Sequence, residues 1–223
     1  MNLKEKYQKE IVPKMVAKFS YKNTMAVPRL VKAVINSGVG RNAKDKAFVD
    51  SVVSNLERIS GQKPIQTKAK QSISAFKTRQ GMIIGVAVTL RNKRMFDFVE
   101  KLINITLPRV RDFRGLNPKQ VDNKGNLTVG LKEHIAFPEI KADEAENIHG
   151  LGVCFNTTAK TYNEGLELFK LMGFPFSADE GEFANHKSKR MKANYANKSK
   201  FSRENTAHNK KAKEHNKKLK DTY

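Results

Sequence analysis

A single cysteine in 223 residues excludes an internal disulfide and a cysteine-based zinc finger. That residue, Cys154, stands in an alternating run and is expected to be a small core residue. Long apolar runs are missing as well. Residues 82–90 form one of the longest, far too short to span a bilayer, so no membrane partner is expected. The first residues, Met1-Asn2-Leu3-Lys4-Glu5-Lys6, are charged and lack the apolar segment of a secretory signal, which predicts a cytoplasmic protein. Negative charge is scarce: 22 Asp and Glu stand against 43 Lys and Arg. The resulting net charge of +21 exceeds what solubility requires, so a polyanion is the natural partner.

Signatures of catalysis are also lacking. No Gly-x-x-x-x-Gly-Lys-Ser/Thr loop is present to cradle a nucleotide phosphate. Asp143, Glu144, Glu146 and His149 cluster in sequence, but their spacing matches neither an EF-hand nor a zincin helix, and a solvated turn is expected. Three of the five histidines, at 186, 208 and 215, fall in a tail where no scaffold would hold a catalytic geometry. No catalytic residue, cofactor or metal is therefore assigned, and the chain is read as not an enzyme. One superficial match remains. Gly38-Val39-Gly40-Arg41-Asn42-Ala43 follows a predicted strand and precedes a predicted helix, as a dinucleotide fingerprint does. A true fingerprint needs a second parallel strand ending in an acidic residue, yet the following stretch reads as helix with Glu57 in its interior. A tight turn is the better reading.

What is present supports a folded body, since 39% of the residues are hydrophobic. Leu3, Tyr7, Ile11, Met15, Val16 and Phe19 recur at helical spacing, with Pro13 expected to bend that helix or end its first half. Residues 31–36 read as a strand and 46–59 as an amphipathic helix stopped by Gly61. Residues 64–67 read as a short strand, 68–80 as a basic loop, and 82–91 as a buried strand. A helix through Met95, Phe98, Leu102 and Ile105 is predicted to stop at Pro108, and residues 109–124 to form a long exposed loop. Residues 126–131 and 152–158 read as strands, the latter leading through the capping-box pattern Thr161-Tyr162-Asn163-Glu164 into a last helix that reaches Met172. No internal repeat is visible. These elements predict an α+β fold, a mixed and largely antiparallel sheet covered by helices on one face, in a single domain over residues 1–176. Residues 177–223 hold 13 Lys or Arg against 6 acidic residues with few large apolar groups, which predicts a disordered basic tail.

The positive charge gathers in two of the predicted loops. Lys68, Lys70, Lys77 and Arg79 surround Phe76, among the polar side chains Ser72, Ser74, Thr78 and Gln80, a set suited to backbone phosphates. Arg109, Arg111 and Arg114, with Phe113 between them, offer planar guanidinium forks that grip phosphates or stack on bases. One such run is ordinary solvated surface; two runs and a basic tail favour nucleic acid.

Three stretches carry a family resemblance: Ala75-Phe76-Lys77-Thr78-Arg79-Gln80-Gly81, Val88-Thr89-Leu90-Arg91, and above all Leu107-Pro108-Arg109-Val110-Arg111-Asp112-Phe113-Arg114-Gly115-Leu116. With Ile135-Ala136-Phe137-Pro138-Glu139-Ile140, Thr157-Thr158-Ala159-Lys160 and Gly173-Phe174-Pro175-Phe176, the chain resembles the L-five family of the bacterial large ribosomal subunit, the universal 5S rRNA-binding ribosomal protein, over roughly residues 1 to 176. The resemblance implies a structural protein of the central protuberance that binds 5S rRNA, touches 23S rRNA and P-site tRNA, neighbours other central-protuberance ribosomal proteins, and bridges to a small-subunit head protein. It implies that Asn36, Gln62 and Thr89 contact rRNA from the sheet face, with Lys63, Arg91 and Lys93 adding sequence-independent attraction. By the same resemblance Lys70, Lys77 and Arg79 face tRNA, and Arg109, Arg111 and Arg114 belong to the intersubunit bridge. Ser37, where the family pattern has Met, and Asn117 depart from it without removing charge, while the tail has no counterpart in it. A second reading, a general RNA chaperone working through the tail, predicts that deleting residues 177–223 abolishes RNA affinity.

Overall fold

The structure is a computed structural model that describes residues 2–140 and 148–177. Residues 178–223 of the predicted tail and the acidic residues Asp143, Glu144 and Glu146 lie outside the described residues. Five strands form one sheet: β1 (Leu30–Gly38), β2 (Ile65–Lys68), β3 (Ile83–Leu90), β4 (Leu127–Leu131) and β5 (Leu151–Thr157). Their order is β2-β3-β1-β5-β4, and every pairing among them is antiparallel. The antiparallel pairs β2/β3 and β4/β5 thus flank β1, the centre of the sheet. This order removes the dinucleotide reading, because β1 has no parallel neighbour to complete a phosphate-binding crossover. Residues 40–42 are a single tight 3-10 turn, as the alternative reading expected.

Alternation along the strands decides which face is buried. Ala33 and Ile35 on β1, Val86, Val88 and Leu90 on β3, Val129 on β4, and Val153 and Phe155 on β5 turn inward and are almost fully buried. Among the described residues, helices cover this face alone: α1, made of Leu3–Lys6, a widened π segment Tyr7–Ile11, and Val12–Phe19; α2 (Lys46–Ser60); α3, made of Asn92–Lys101, a π segment Leu102–Thr106, and Leu107–Arg109; and α4 (Tyr162–Met172). Cys154 is the first correction. It points away from the core, half-buried, because Val153 and Phe155 take the inward positions and Cys154 falls opposite Val34 and Thr128.

Pro108 does not stop its helix as expected. In α3 the chain stays helical through Pro108 to Arg109, and in α1 it continues past Pro13 to Phe19. Each proline sits two residues beyond a π segment, where the amide of Val12 reaches back to the Tyr7 carbonyl and that of Leu107 to the Leu102 carbonyl. A proline in a regular helix lacks one amide and collides with the carbonyl four residues before it; the wider turn accommodates both defects. Ile105, counted on the inward face by its spacing, is 44% exposed.

Local signals fix the remaining helix ends. Asp45 caps α2 by accepting the amides of Ala47 and Phe48, and Gly61 ends it in a left-handed turn with its amide on the Glu57 carbonyl at 2.8 Å. At α4 the capping box forms as predicted, and Tyr21 donates its hydroxyl to Glu164 at 2.7 Å. Partial burial pulls the Glu164 carboxyl upward, but hydrogen bonds from Tyr21, Lys160 and Thr161 outweigh it and hold the pKa below its ordinary value. Lys101 joins three segments by donating to the Ile59 carbonyl at 2.7 Å and to Glu139 at 2.5 Å.

Residues 109–124 are not the freely exposed loop that was expected. Leu116, Pro118 and Val121 are buried, the Leu116 amide bonds to the Pro175 carbonyl at 2.7 Å, and the Tyr162 hydroxyl donates to the Pro118 carbonyl. Gly125 then crosses α4 at Gly165 so closely that a Cβ on Gly165 would stand 2.3 Å from the Gly125 Cα. Only a pair of glycines permits that approach.

Candidate nucleic-acid interface

No described element covers the second face of the sheet. It carries Thr67 and Ile65 on β2, Gly85, Ala87 and Thr89 on β3, and Val34, Asn36 and Gly38 on β1. Gly152, Cys154 and Asn156 on β5 continue it, followed by Thr128 and Gly130 on β4. Small and polar side chains dominate this surface, so its relief is low and the backbone itself is close to solvent. A side chain added at Gly38 or Gly130 would meet nothing within 4 Å. Such a face admits close approach by a ribose-phosphate surface and offers amide and hydroxyl groups to 2′-hydroxyls.

Asn36 and Thr89 share this face, both exposed, with Val34 opposite Thr89 and Ala87 opposite Asn36. Gly85 brings Asn36 together with a residue that sequence reasoning missed. A Cβ built on Gly85 would lie 2.8 Å from the Thr67 Oγ1 and 3.7 Å from the Asn36 Oδ1, so both polar side chains lean over the glycine. The signal was present in the alternation of residues 65–68, but only the strand register assigns Thr67 to the open side.

Gln62 and Lys63 precede β2 at the end of the sheet where β3 leaves, the end that also carries Arg91 and Lys93. Lys63, Arg91 and Lys93 are exposed, whereas Gln62 is half-buried in the turn after α2, where its amide bonds to Ser60. The start of α3 is electropositive beyond its side chains. It has no side-chain cap and no acidic residue in its first turn, while Arg91, Lys93 and Arg94 crowd the positive end of the helix dipole. Asn92 there adopts φ 50°, a left-handed conformation that is uncommon outside glycine. Cations placed against a helix dipole cost stability unless an anion joins them.

Lys70, Lys77 and Arg79 lie on the loop between β2 and β3, at the opposite end of the strands, and all three are exposed. The rRNA and tRNA candidates therefore fall into two groups. Arg109, Arg111 and Arg114 are exposed at and after the end of α3, on the segment that Leu116 anchors. Of the two departures, Ser37 is fully buried and donates its hydroxyl to the Gly150 carbonyl at 2.9 Å, and Asn117 caps the turn 118–120 by accepting the Lys119 amide.

Behind the Gly150 junction, His134 and His149 are buried and stacked, with ring centroids 3.9 Å apart. Burial pushes the His134 imidazole below its ordinary pKa, and its Nδ1 accepts the His149 amide at 3.3 Å. Among the described residues no group of three or more His, Cys, Asp or Glu could hold a metal ion, and no helix is long and apolar enough to cross a membrane.

Residues 23–79 match the family model described as Ribosomal protein L5, and residues 83–176 match the model of the C-terminus of the same ribosomal family. Neither reaches beyond residue 176. The Large ribosomal subunit protein uL5 of Carboxydothermus hydrogenoformans is 53% identical over 175 residues, covering 78% of this chain and 98% of the relative. Its counterparts from Desulforapulum autotrophicum and Fervidobacterium nodosum are 56% and 54% identical over 174 residues each, again 78% of this chain and 97% and 95% of theirs.

Proposed function

The chain belongs to the ribosomal protein L5 family, and from that premise we propose that it is a structural, non-catalytic constituent of the large ribosomal subunit that binds 5S rRNA through the open face of its sheet. The observation that carries this reading is the face itself: low in relief, furnished with Asn36, Thr67 and Thr89, and bordered by Lys63, Arg91 and Lys93. Neutral donors read the sugar edge of the RNA, and the cations at the border attract its phosphates without regard to sequence. In the same reading, Lys70, Lys77 and Arg79 contact the backbone of P-site tRNA. Arg109, Arg111 and Arg114 meet a small-subunit head protein across an intersubunit bridge. The remaining basic surface contacts 23S rRNA and neighbouring proteins of the central protuberance in cytoplasmic ribosomes.

Equilibrium binding of the full chain to 5S rRNA, to tRNA and to a scrambled RNA of equal length tests the reading. A preference for 5S rRNA is expected. Asn36→Leu and Thr89→Val each reduce that preference about fivefold with an unchanged salt dependence, in line with the ~1 kcal/mol of one hydrogen bond lost at each site. Lys63→Ala and Arg91→Ala each lower the log–log salt slope by about 0.7 to 0.9. Equal affinity for all three RNAs refutes the reading. The basic tail beyond the family match supports a second, chaperone-like reading, distinguished by deleting residues 177–223: loss of all RNA affinity favours it, and a shallower salt slope with the 5S preference intact opposes it.

A further inference from the structure

At the Gly38 end of the sheet, the turn 38–44 and the loop 68–82 face one another across a cleft of about 1360 Å³. Its floor is apolar. Among the described residues eight large hydrophobic side chains are exposed, and four of them, Ile73, Phe76, Ile84 and Ile148, line this one cleft. The exposure is built into the fold. Val39 donates its amide to the Ile84 carbonyl at 3.0 Å, which holds the turn beside β3, and reciprocal amide–carbonyl bonds between Ile73 and Thr78 tie the loop that carries Phe76. On the third side His149 is anchored by its stack on His134 and its edge contact with Phe48, which leaves the neighbouring Ile148 outward and 59% exposed. Apolar surface gathered in this way and rimmed by polar groups marks a site for another molecule.

The rim is cationic. Arg41 and Lys44 stand on one wall and Lys68, Lys70 and Lys77 on the other, none of them paired with a carboxylate among the described residues. Charge alone would suit RNA as well as an acidic protein, so the floor decides. A sugar–phosphate chain gives three isoleucines nothing to bury, whereas aliphatic side chains gain in proportion to the apolar area they cover. The volume exceeds the ~300–1,000 Å³ of a small-molecule pocket, which favours a segment of chain over a metabolite. Backbone groups of Val39, Ile73, Thr78 and Ile84 at the floor are already bonded to one another, so an added strand finds no edge there. A helix satisfies its own backbone and lays one apolar face in such a groove.

We propose that this cleft docks an acidic amphipathic helix of a partner protein, its apolar face on Ile73, Ile84 and Ile148 and its carboxylates against Arg41, Lys44 and Lys68. Lys70 and Lys77 border the same cleft, so the helix and a tRNA exclude one another on a single chain. Only that exclusion rests on the RNA-binding reading above.

Fluorescence anisotropy of the full chain tests this with a labelled peptide of about 18 residues, roughly five helical turns, carrying Leu at i, i+3, i+4 and i+7 spacing and Glu between. The control is a scramble of the same composition with its leucines spread around the helix. At about 1 M salt, where charges are screened beyond ~3 Å, the amphipathic peptide should still bind about tenfold more tightly than the scramble, the effect of burying one further apolar side chain. Ile73→Ser combined with Ile148→Ser, both at exposed positions, should abolish this preference without lowering the melting temperature. At low salt Arg41→Glu and Lys44→Glu should each weaken the peptide severalfold, and indifference to both overturns the assignment of the carboxylates. Equal binding of peptide and scramble by the wild-type chain overturns the proposal, as does a preference that survives the Ile73→Ser, Ile148→Ser pair. An RNA hairpin whose affinity falls tenfold in that pair while the peptide's does not gives the cleft to RNA and also overturns it. The choice of 5S rRNA over scrambled RNA keeps the failures apart: if that choice persists where the peptide preference is missing, the cleft inference alone falls, and if both are missing, both readings fall.

Discussion

Loops 68–82 and 110–126 each carry four Lys or Arg, so charge does not distinguish them. Their apolar residues do. Loop 110–126 sends Leu116, Pro118 and Val121 into the body and is clamped by Pro175, Tyr162 and the Gly125–Gly165 contact. Loop 68–82 buries only Ala69 and holds Ile73 and Phe76 outward on a small bonded turn. Burial of one Leu side chain contributes about 1.5 to 3 kcal/mol, so the first loop is fixed to the fold by its own sequence. The second leaves equivalent apolar surface unused by the fold. One loop presents its cations rigidly, while the other also keeps aromatic surface for a partner.

The comparison breaks most readily at the glycine crossing. Gly165→Ala should destabilise the protein by about 3 kcal/mol, because the new methyl meets backbone that cannot move aside; an unchanged urea midpoint would show that loop 110–126 is not clamped there. Leu116→Ala should cost about 2 kcal/mol and raise amide exchange across residues 115–121, with the β2–β3 loop unaffected.

Acid sharpens the contrast, since the two ends of the sheet carry different titrating groups. His134 is held below its ordinary value of 6.5, so the unfolded chain binds the extra proton first and stability falls as pH drops from about 6.5 through the folded pKa. Glu164 is held below 4.5, so its contribution is present above that value and is lost as pH falls further through the folded pKa. Hydrogen exchange along an acid titration should therefore show the Gly150 junction loosening first and the α4 cap later. The reverse order would contradict both assignments, and His134→Gln should flatten the first step. The smallest effect belongs to the exposed rim: Phe76→Ser and Ile73→Ser should change stability by no more than about 0.5 kcal/mol, read from thermal melts.

Much of the fold was legible because local signals carried it. The alternating residues of β1, β3, β4 and β5, the capping box at Thr161 and the stop at Gly61 are all short-range features. Cys154 was misassigned because alternation reveals a period without revealing its phase; the phase is set by Val153 and Phe155 packing beneath helices distant in sequence. The clamped loop was hidden for a related reason, since Leu116 meets residues 175 and 177, and nothing between residues 109 and 124 encodes that meeting. At the candidate site, the exposed cations could be recognised individually. Their division between two ends of the sheet, and the convergence of Arg41 and Lys44 with loop 68–82, follow from register and connection geometry alone.

The position of β1 carries a consequence for synthesis. It is the first strand to emerge yet the centre of the finished sheet, and its second neighbour, β5, ends more than a hundred residues later. At roughly 5–20 residues per second, one edge of the nascent strand waits on the order of ten seconds for its partner. During that interval Ala33 and Ile35 have only half of their final surroundings. Translation speed and chaperone access therefore bear on this protein most heavily between the completion of β3 and the arrival of β5.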